Sequence, residues 1–240
     1  AQKLGLECAL VDAEYSYRPE YAQQFGIDTE KLLIVQPDCL EEAGDAIESL
    51  IRAKFGLIVV DSVSSLVPKA LAEADHGKSP MAMQARGMSQ MLIKLVSPLS
   101  KNNCALVCIN QMRVNIMAMH PGDKYTVTGG FALKFYSSIR FEMKRLKAIM
   151  GKGEQHLGYT VGFTVKKNKL ARAGLSCEVP YLFEGGFKKD GDIVQMALDK
   201  GLIEQQGAWF TLRGERYQGK AKVSAALDAD PALKEEITKV

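Results

Sequence analysis

Polar side chains stand at the ends of three apolar segments that are expected to form strands. Asp12 and Glu14 close the run CALVDAE, Asp61 closes GLIVVD, and Asn110 with Gln111 follows CALVCI. Ligands of open α/β sheets bind beyond the carboxyl ends of the strands, so these groups could meet at one site. An acid there can hold Mg²⁺ through water beside a triphosphate, a second carboxylate can activate water, and a glutamine can bind the γ-phosphate. Solvated strand ends are the alternative, which three such ends together make less favoured.

The stretch from Ala72 to Ser79 reads A-x-x-x-x-G-K-S, which a loose search for a phosphate loop accepts. A phosphate loop needs an apolar strand before it and a helix after it, whose first amides point at phosphate. No apolar strand precedes this stretch, Ala72 replaces the usual glycine, and the match follows Asp61 instead of preceding it. We interpret Gly77-Lys78-Ser79 as a coincidental match, and the sequence contains no other G-x-x-x-x-G-K-[ST].

Apolar segments alternate with helical patterns along the first half of the sequence. Strands are predicted at 8–14, 31–36, 56–63 and 104–111, with helices at 38–55 and 80–102. This order predicts an α/β fold with a mostly parallel sheet flanked by helices. Period-two alternation at 137–149 and 158–170 predicts antiparallel strands that continue the sheet.

The pattern changes near residue 187, after which a helix, a hairpin and a further helix are expected. We therefore predict two domains, an α/β core at 1–187 and a small α+β C-terminal module at 188–240. The helices are predicted at 192–205 and 222–240, and the hairpin at 207–219.

Composition narrows the class of protein. The 240 residues carry a net charge of +3, too small to argue for nucleic acid without local clusters. Five cysteines form no C-x-x-C pair and three histidines lack metal-ligand spacing, so buried reduced thiols and no zinc site are expected.

Without a signal peptide or membrane-length apolar run, a cytoplasmic protein is the default expectation. The opening AQKLGLECALVDAE reads as the end of a helix entering a strand, which suggests a piece of a longer or split protein.

Several segments together resemble the bacterial RecA recombinase family, including its phage-borne members. They are VDAE, IVVDSVSSL followed by VPKALAE, INQMR, TGGFALKFYSSIR, VKKNKLA and KGLIEQQGAWF, in family order over essentially the whole chain. The resemblance implies a RecA-like ATPase core with a C-terminal module, and it places the family's polymerisation segment and phosphate loop upstream of Ala1.

The resemblance also implies roles for residues near the nucleotide. Glu14 matches the catalytic glutamate that activates water, Asp61 the acid associated with Mg²⁺ through water, and Gln111 the glutamine that couples the γ-phosphate to a DNA-binding loop. Tyr21 matches a tyrosine that stacks on adenine, although Arg18 stands where the family has an acid contacting the base.

Further matches concern neighbouring subunits. Lys167 and Lys169 match lysines that reach the triphosphate of the neighbouring subunit, and Phe135 matches an aromatic residue of the subunit interface. Without the resemblance, a solvated strand edge is the favoured interpretation of the two lysines.

Two segments resemble the DNA-binding loops of the family, from Leu71 to Met81 and from Met112 to Thr128. Apolar side chains of such loops can wedge between bases while amides and cations hold the backbone. The implied wedges are Met81 and Ile116, and the implied backbone contacts are Arg86, Arg113, Gly129 and Gly130. Ile93 replaces an arginine of the family and Phe131 an asparagine. Lys220 and Lys222 of the C-terminal module are weaker candidates for contact with duplex DNA.

The expected function is that of a DNA-dependent ATPase that uses ATP and Mg²⁺. It would form filaments on single-stranded DNA and pair it with duplex DNA in recombination, repair and the response to DNA damage. The alternative is a non-catalytic DNA-binding or filament-interacting protein that has lost its phosphate loop. A hexameric helicase or circadian-type ATPase is a weaker option, because TGGFALKFYSSIR and KGLIEQQGAWF speak against it.

Overall fold

A computed structural model describes residues 1–72, 80–114, 125–187 and 193–238. The chain divides into two compact units, residues 1–137 and 138–240. The domain boundary between residues 187 and 188 stays a prediction, since it adjoins residues 188–192, which lie outside the described ranges. Among the helices of the described ranges, each is too short or too polar to cross a lipid bilayer.

A parallel sheet of four strands in the order β2-β1-β3-β4 forms the centre of the first unit, as the sequence predicted. The strands are β1 (Cys8–Asp12), β2 (Leu32–Val35), β3 (Leu57–Asp61) and β4 (Ala105–Cys108). Each is shorter than predicted, because the residues after it turn out of the sheet, and Ala13 and Glu14 already lie in a turn. The polar ends therefore project beyond the sheet edge.

Two helices cover one face of this sheet. They are α2 (Leu40–Arg52) and α4 (Pro80–Lys101), both within two or three residues of the predicted limits. In α2, Glu41 and Glu42 lie in the first turn and Arg52 in the last, which suits the helix dipole. Ile47 and Ile51 of α2, Ile58 of β3 and Leu95 of α4 belong to one buried cluster. Burying each of these side chains stabilises the fold by about 1.5–3 kcal/mol relative to exposure.

The remaining elements of the first unit surround the sheet edge. Pro19 begins α1, and Arg18 before it is extended, as residues preceding proline prefer. The short elements are α1 (Pro19–Gln24), α3 (Lys69–Ala72), the antiparallel pair β5 (Met112–Val114) and β6 (Tyr125–Val127), and α5 (Ala132–Tyr136).

The second unit contains an antiparallel sheet in the order β10-β9-β8-β7. Its strands are β7 (Ile139–Met150), β8 (His156–Asn168), β9 (Ser176–Leu182) and β10 (Gly186–Phe187). The two predicted antiparallel strands are present as β7 and β8, but the prediction that they continue the first sheet was wrong for the described residues. They pair within a sheet of their own, since alternation identifies a strand but not its partner.

The C-terminal module encloses its own buried cluster, which includes Val194, Leu227 and Ile237. Its elements are α6 (Ile193–Asp199), β11 (Ile203–Gln206), β12 (Trp209–Leu212), β13 (Glu215–Gln218), α7 (Lys220–Asp228) and α8 (Pro231–Thr238). The hairpin is confirmed, whereas both helices of the prediction are too long. Gly201, with φ +69°, follows α6 before β11 pairs with β12. Asp230 and Pro231 divide the last helix, because the Asp230 carboxylate accepts the Leu233 amide at 3.0 Å and caps α8.

Candidate functional site

The polar tips of three neighbouring strands meet at one edge of the parallel sheet. Asp12 and Asp61 are direct partners in the register of β1 and β3, and β4 lies on the other side of β3. The side-chain amide of Gln111, just beyond β4, donates a 3.0 Å hydrogen bond to Glu14 Oε1, just beyond β1. The predicted convergence of Glu14, Asp61 and Gln111 is therefore present.

Two serines of the turn after β3 also hold Glu14. The hydroxyls of Ser62 and Ser65 contact the same oxygen, Glu14 Oε1, the latter at 3.2 Å. Neither serine was predicted to belong to the site, although DSVSS directly follows β3 and hydroxyls at a strand tip are natural donors to a carboxylate. Glu14 is thus held by donors from two different strands, with one carboxylate face against the tips of β3 and β4.

Asp12 lies in a different environment from Glu14, only 1% exposed. Burial favours the neutral acid and raises its pKa. Hydrogen bonds from the Gln36 amide and the Ser16 and Tyr17 backbone amides more than offset this, so the pKa of Asp12 lies below its usual value. The distances are 3.0 Å from Gln36 and 3.1 Å from each backbone amide. Asp12 is therefore a buried, ionised anchor.

The surroundings of Asp61 shift its pKa in the opposite direction to that of Asp12. Partial burial, together with the negative charges of Glu14 and Asp12, raises the pKa of the Asp61 carboxyl. In the described part of the chain, no three His, Cys, Asp or Glu side chains are arranged to hold a metal directly. A divalent cation reached through water would relieve the repulsion among these carboxylates, so the donor set fits Mg²⁺ bound by Asp61 in that way.

A cavity of about 550 Å³ lies between β1, β3 and α1, a size typical of small-molecule sites. Tyr21 and Asp61, two residues predicted to bind the cofactor, both line it, together with Arg18 and Tyr17. The Tyr17 hydroxyl is buried and has no hydrogen-bond partner in the described part of the protein. The cavity can therefore accept a planar group beside Tyr21 and a polar group near Tyr17.

The base of the second predicted DNA loop is clamped by a reciprocal pair of hydrogen bonds. The Asn110 amide donates to the Thr128 carbonyl at 3.0 Å, and the Thr128 hydroxyl donates back to Asn110 Oδ1 at 2.9 Å. Met112 pairs with Val127 directly above this clamp. Gln111 therefore lies between the carboxylate site and a fixed loop base.

Gly129 and Gly130 follow the clamp with φ values of +81° and +70°. A Cβ on Gly130 would lie 2.7 Å from Ala85 Cβ on α4, and one on Gly129 would lie 3.6 Å from Met88. The fold itself therefore favours glycine at both positions, because the backbone there is left-handed and packs closely on α4. The predicted backbone contacts Arg86 and Arg113 are exposed, Arg86 on α4 and Arg113 on β5.

Comparison with known proteins decides the family. The RecA N-terminal domain matches residues 1–188 and the RecA C-terminal domain matches residues 191–240. This chain belongs to the RecA family. Curated proteins named Protein RecA are 40% identical over 239 residues in Sulfurovum sp. (strain NBC37-1) and 41% identical over 239 residues in Citrifermentans bemidjiense. A Protein RecA of Pseudomonas putida is 39% identical over 241 residues.

These alignments cover 99%, 99% and 100% of this chain but 69%, 70% and 67% of the respective relatives. The chain therefore spans about two thirds of the length of the RecA proteins that it matches. The recognised resemblance and the RecA-like fold are confirmed, and the roles of individual site residues remain predictions.

The two lysines predicted to reach the triphosphate of a neighbouring subunit lie in the second unit, at the end of β8. Lys167 is within β8, and the Lys169 amide donates to the Ser138 carbonyl at 2.9 Å. Desolvation, then repulsion from Lys169 and Arg140, lowers the pKa of Lys167. The three cations form a positive cluster that would favour an anion.

Aromatic side chains of α5 and its N-terminal boundary form an exposed surface. Phe135 is 71% exposed and Phe131 is 69% exposed, with ring centroids 6.4 Å apart. Ile93, which like Phe131 departs from the RecA pattern, is 60% exposed on α4. These side chains are placed where a partner could contact them.

Several predicted residues lie outside the described part of the structure. They are Ile116, the Met81 side chain and the coincidental Gly77-Lys78-Ser79 match. Their assignments stay predictions.

Proposed function

We propose that this chain is the ATPase core and C-terminal module of a DNA-dependent ATPase that acts in homologous recombination and repair. The hydrogen bond between Gln111 and Glu14 carries the proposal, because it joins a candidate water-activating carboxylate to the strand that enters the second DNA loop. Membership of the RecA family supports the same role.

In this proposal the triphosphate lies along the strand tips, with its terminal phosphate near Glu14. Glu14 accepts a proton from the attacking water, and Gln111 senses the terminal phosphate through its amide. Asp61 would hold Mg²⁺ through water, and the ion, when bound, would supply positive charge to the phosphate oxygens. Tyr21, whose side chain is 51% exposed at the cavity, stacks on the adenine.

ATP acts as a switch on DNA affinity in the proposed cycle. When Gln111 bonds to the terminal phosphate, the loop anchored at Asn110 and Thr128 takes its DNA-binding conformation. Single-stranded DNA then contacts the loops and the exposed cations Arg86 and Arg113. Hydrolysis removes that bond and favours release. Duplex DNA is the second substrate, for pairing with the bound strand.

Assembly into filaments follows from residues that face outward. Phe135 supplies an apolar contact to a second copy, and the cluster of Lys167, Lys169 and Arg140 supplies positive charge to the neighbour's triphosphate. Mixing Glu14→Gln chains with Lys167→Ala chains tests this sharing of sites. Each variant alone should be inactive, and the mixture should recover part of the turnover. A mixture as inactive as its components contradicts a shared site.

The deciding experiment measures ATP hydrolysis with and without single-stranded DNA, on this chain and on a version extended to the full length of its RecA relatives. We expect weak hydrolysis by the chain as given and DNA-stimulated hydrolysis by the extended version. Glu14→Gln in the extended version should abolish hydrolysis while retaining nucleotide binding. If the extended version binds no nucleotide, the proposed ATPase is wrong.

The floor of the cavity is formed by apolar residues such as Leu10 and Val59. Such a floor suits a planar base, either the adenine of ATP or a base of DNA. The alternative is a non-catalytic protein that binds DNA or RecA-type filaments. Tight binding of single-stranded DNA that is indifferent to ATP would favour it.

A further inference from the structure

Glu14 is carried by a short turn, residues 13–17, between β1 and α1. Tyr15 within this turn has φ +54°, a left-handed conformation that non-glycine residues adopt only at a cost. Such a backbone persists where surrounding contacts determine it. The contacts that hold this turn therefore also determine where Glu14 points.

The first anchor is Asp12, which lies beneath the turn. Its two carboxylate oxygens accept the amides of Ser16 and Tyr17, and the Gln36 side chain donates to one of those oxygens at 3.0 Å. Because Asp12 is only 1% exposed, water cannot readily replace these donors. The inner side of the turn is thereby tied to Gln36, at the end of β2.

The second anchor is Tyr15 itself, on the outer side of the turn. Its hydroxyl donates to Asp38 Oδ1 at 2.6 Å, a charge-assisted hydrogen bond that raises the pKa of the phenol. Asp38 is in turn held by its backbone amide, which donates to Glu42 Oε2 at 3.1 Å in the first turn of α2. The outer side of the turn is thereby tied to the start of α2.

Both anchors end on one short segment, Gln36 to Asp38, which connects β2 to α2. We propose that this connection is a positioning element, and that Asp12 and Tyr15 dock the turn onto it so that Glu14 stays within reach of Gln111 and Asp61. The inference rests on the proposed function, since it concerns the carboxylate that would activate water. Neither Tyr15 nor Asp38 touches the reacting atoms in this scheme.

The expected kinetic signature is a loss of turnover without a loss of nucleotide affinity. A misplaced catalytic group lowers kcat, whereas neither Tyr15 nor Asp38 lines the cavity that would hold the base. Because Tyr15 and Asp38 act through one hydrogen bond, removing both partners should cost no more than removing one.

The test compares Tyr15→Phe, Asp38→Ala and the double variant in the full-length extended protein, because alanine, unlike asparagine, cannot accept the Tyr15 hydroxyl. Tyr15 is 50% exposed, so deletion of its hydroxyl leaves the core intact. Each single variant should lower kcat about 3- to 10-fold with KM within about 2-fold, and the double variant should match the singles. The matched control is Tyr217→Phe, which removes a similar bond, from Tyr217 to Glu215, in the C-terminal module. It should leave kcat and KM unchanged.

A readout that needs no turnover separates this inference from the proposed ATPase. In ¹⁵N-labelled protein, the side-chain amide signal of Gln111 reports its bond to Glu14, and Glu14→Gln supplies the reference shift for loss of the carboxylate. Tyr15→Phe should move that signal toward the reference and accelerate exchange of the Ser16 amide, while Tyr217→Phe should do neither. An unmoved Gln111 signal, additive losses in the double variant, or a change in KM alone overturns the inference. Absence of hydrolysis with a shifted Gln111 signal overturns only the ATPase.

Discussion

Gln111 and Glu14 lie 97 positions apart in the chain and are joined by a 3.0 Å hydrogen bond from the Gln111 amide to Glu14 Oε1. Met112, the next residue after Gln111, begins β5 and pairs with Val127 at the base of the second loop. A movement of that loop base therefore changes the position of a group that holds Glu14. This contact directly links the strand that enters the second predicted DNA loop to the candidate water-activating residue.

Replacing Gln111 by leucine should remove the DNA stimulation of ATP hydrolysis. Leucine is similar in size but cannot donate to Glu14 or to a phosphate oxygen, so turnover on single-stranded DNA should fall about 100-fold. The measurement is hydrolysis across a DNA titration, with DNA binding followed separately. Gln205→Leu, at an exposed position of β11, is the matched control. Stimulation that survives in Gln111→Leu contradicts the coupling.

Replacing Asp61 by asparagine should stabilise the nucleotide-free protein at pH 7. The folded-state pKa of Asp61 is raised, so its favourable contribution exists at low pH and is lost as the pH rises through that pKa. The variant lacks this titration and should gain about 1 kcal/mol or less in the free energy of unfolding at pH 7, because the group is partly solvated. The gain should vanish below about pH 4, the usual range of an aspartate.

Denaturant unfolding across pH measures this gain. Asp45→Asn, on the exposed side of α2, should show none of it. Mg²⁺ with ATP should stabilise the unmodified protein more than Asp61→Asn. Equal unfolding free energies for the variant and the unmodified protein at pH 7 would show that neither burial nor the neighbouring carboxylates appreciably disfavour ionised Asp61.

Replacing Asp12 by asparagine should lower the free energy of unfolding at pH 7, which is opposite to the effect expected for Asp61→Asn. The pKa of Asp12 is lowered in the folded state, so its contribution is present above the unfolded pKa and is lost as the pH falls through the folded value. At pH 7 the variant should lose about 2–3 kcal/mol, because charge-assisted bonds from Ser16 and Tyr17 are weakened in a buried site. The difference should shrink in acid. A variant as stable as the unmodified protein at pH 7 contradicts the anchoring role.

Replacing Gly130 by alanine should destabilise the fold more than replacing Gly26. Both glycines have positive φ, +70° and +76°, so alanine strains the backbone at each by about 1 kcal/mol. Only at Gly130 does the new methyl meet Ala85, with Cβ atoms 2.7 Å apart, whereas Gly26 has open space. The extra cost at Gly130 should be about 1–3 kcal/mol, measured by thermal unfolding. Equal costs would mean that Gly130 does not require close packing on α4.

Replacing Phe135 by alanine should weaken self-association and leave the fold intact. The side chain is 71% exposed, so its loss should change the unfolding temperature little, while an apolar contact to a second copy disappears. Sedimentation velocity with ATP and single-stranded DNA measures the assemblies. Leu4→Ala removes another highly exposed apolar side chain, 80% accessible, and should not change assembly. Normal filaments in Phe135→Ala would exclude this contact.

Much of the first unit follows from local patterns. The four parallel strands, α2 and α4 were predicted because apolar spacing is set by each element's own burial, and their ends differ by only a few residues. Local sequence patterns did not predict the pairing of strands or the exact ends of every helix. They did not show that β7 and β8 pair in a separate sheet, nor that Asp230 and Pro231 divide the last helix.

The candidate site divides in the same way. Residue types at the strand ends identified Glu14, Asp61 and Gln111, since an acid or amide after an apolar run is visible in the sequence itself. The contacts of Ser62 and Ser65 with Glu14, and of Gln36 with Asp12, were not predicted. They depend on the order and register of strands that are distant in sequence.

The amino-acid sequence by itself determined which residues are apolar, which close a strand and which family the chain resembles, because these depend on composition and spacing along the chain. Only the tertiary structure decided that Asp12 is buried and ionised while Asp61 beside it has a raised pKa. The two carboxyls differ in burial, in donors from Gln36, Ser16 and Tyr17, and in neighbouring charge. Those surroundings exist only once β1, β2 and β3 pair in register.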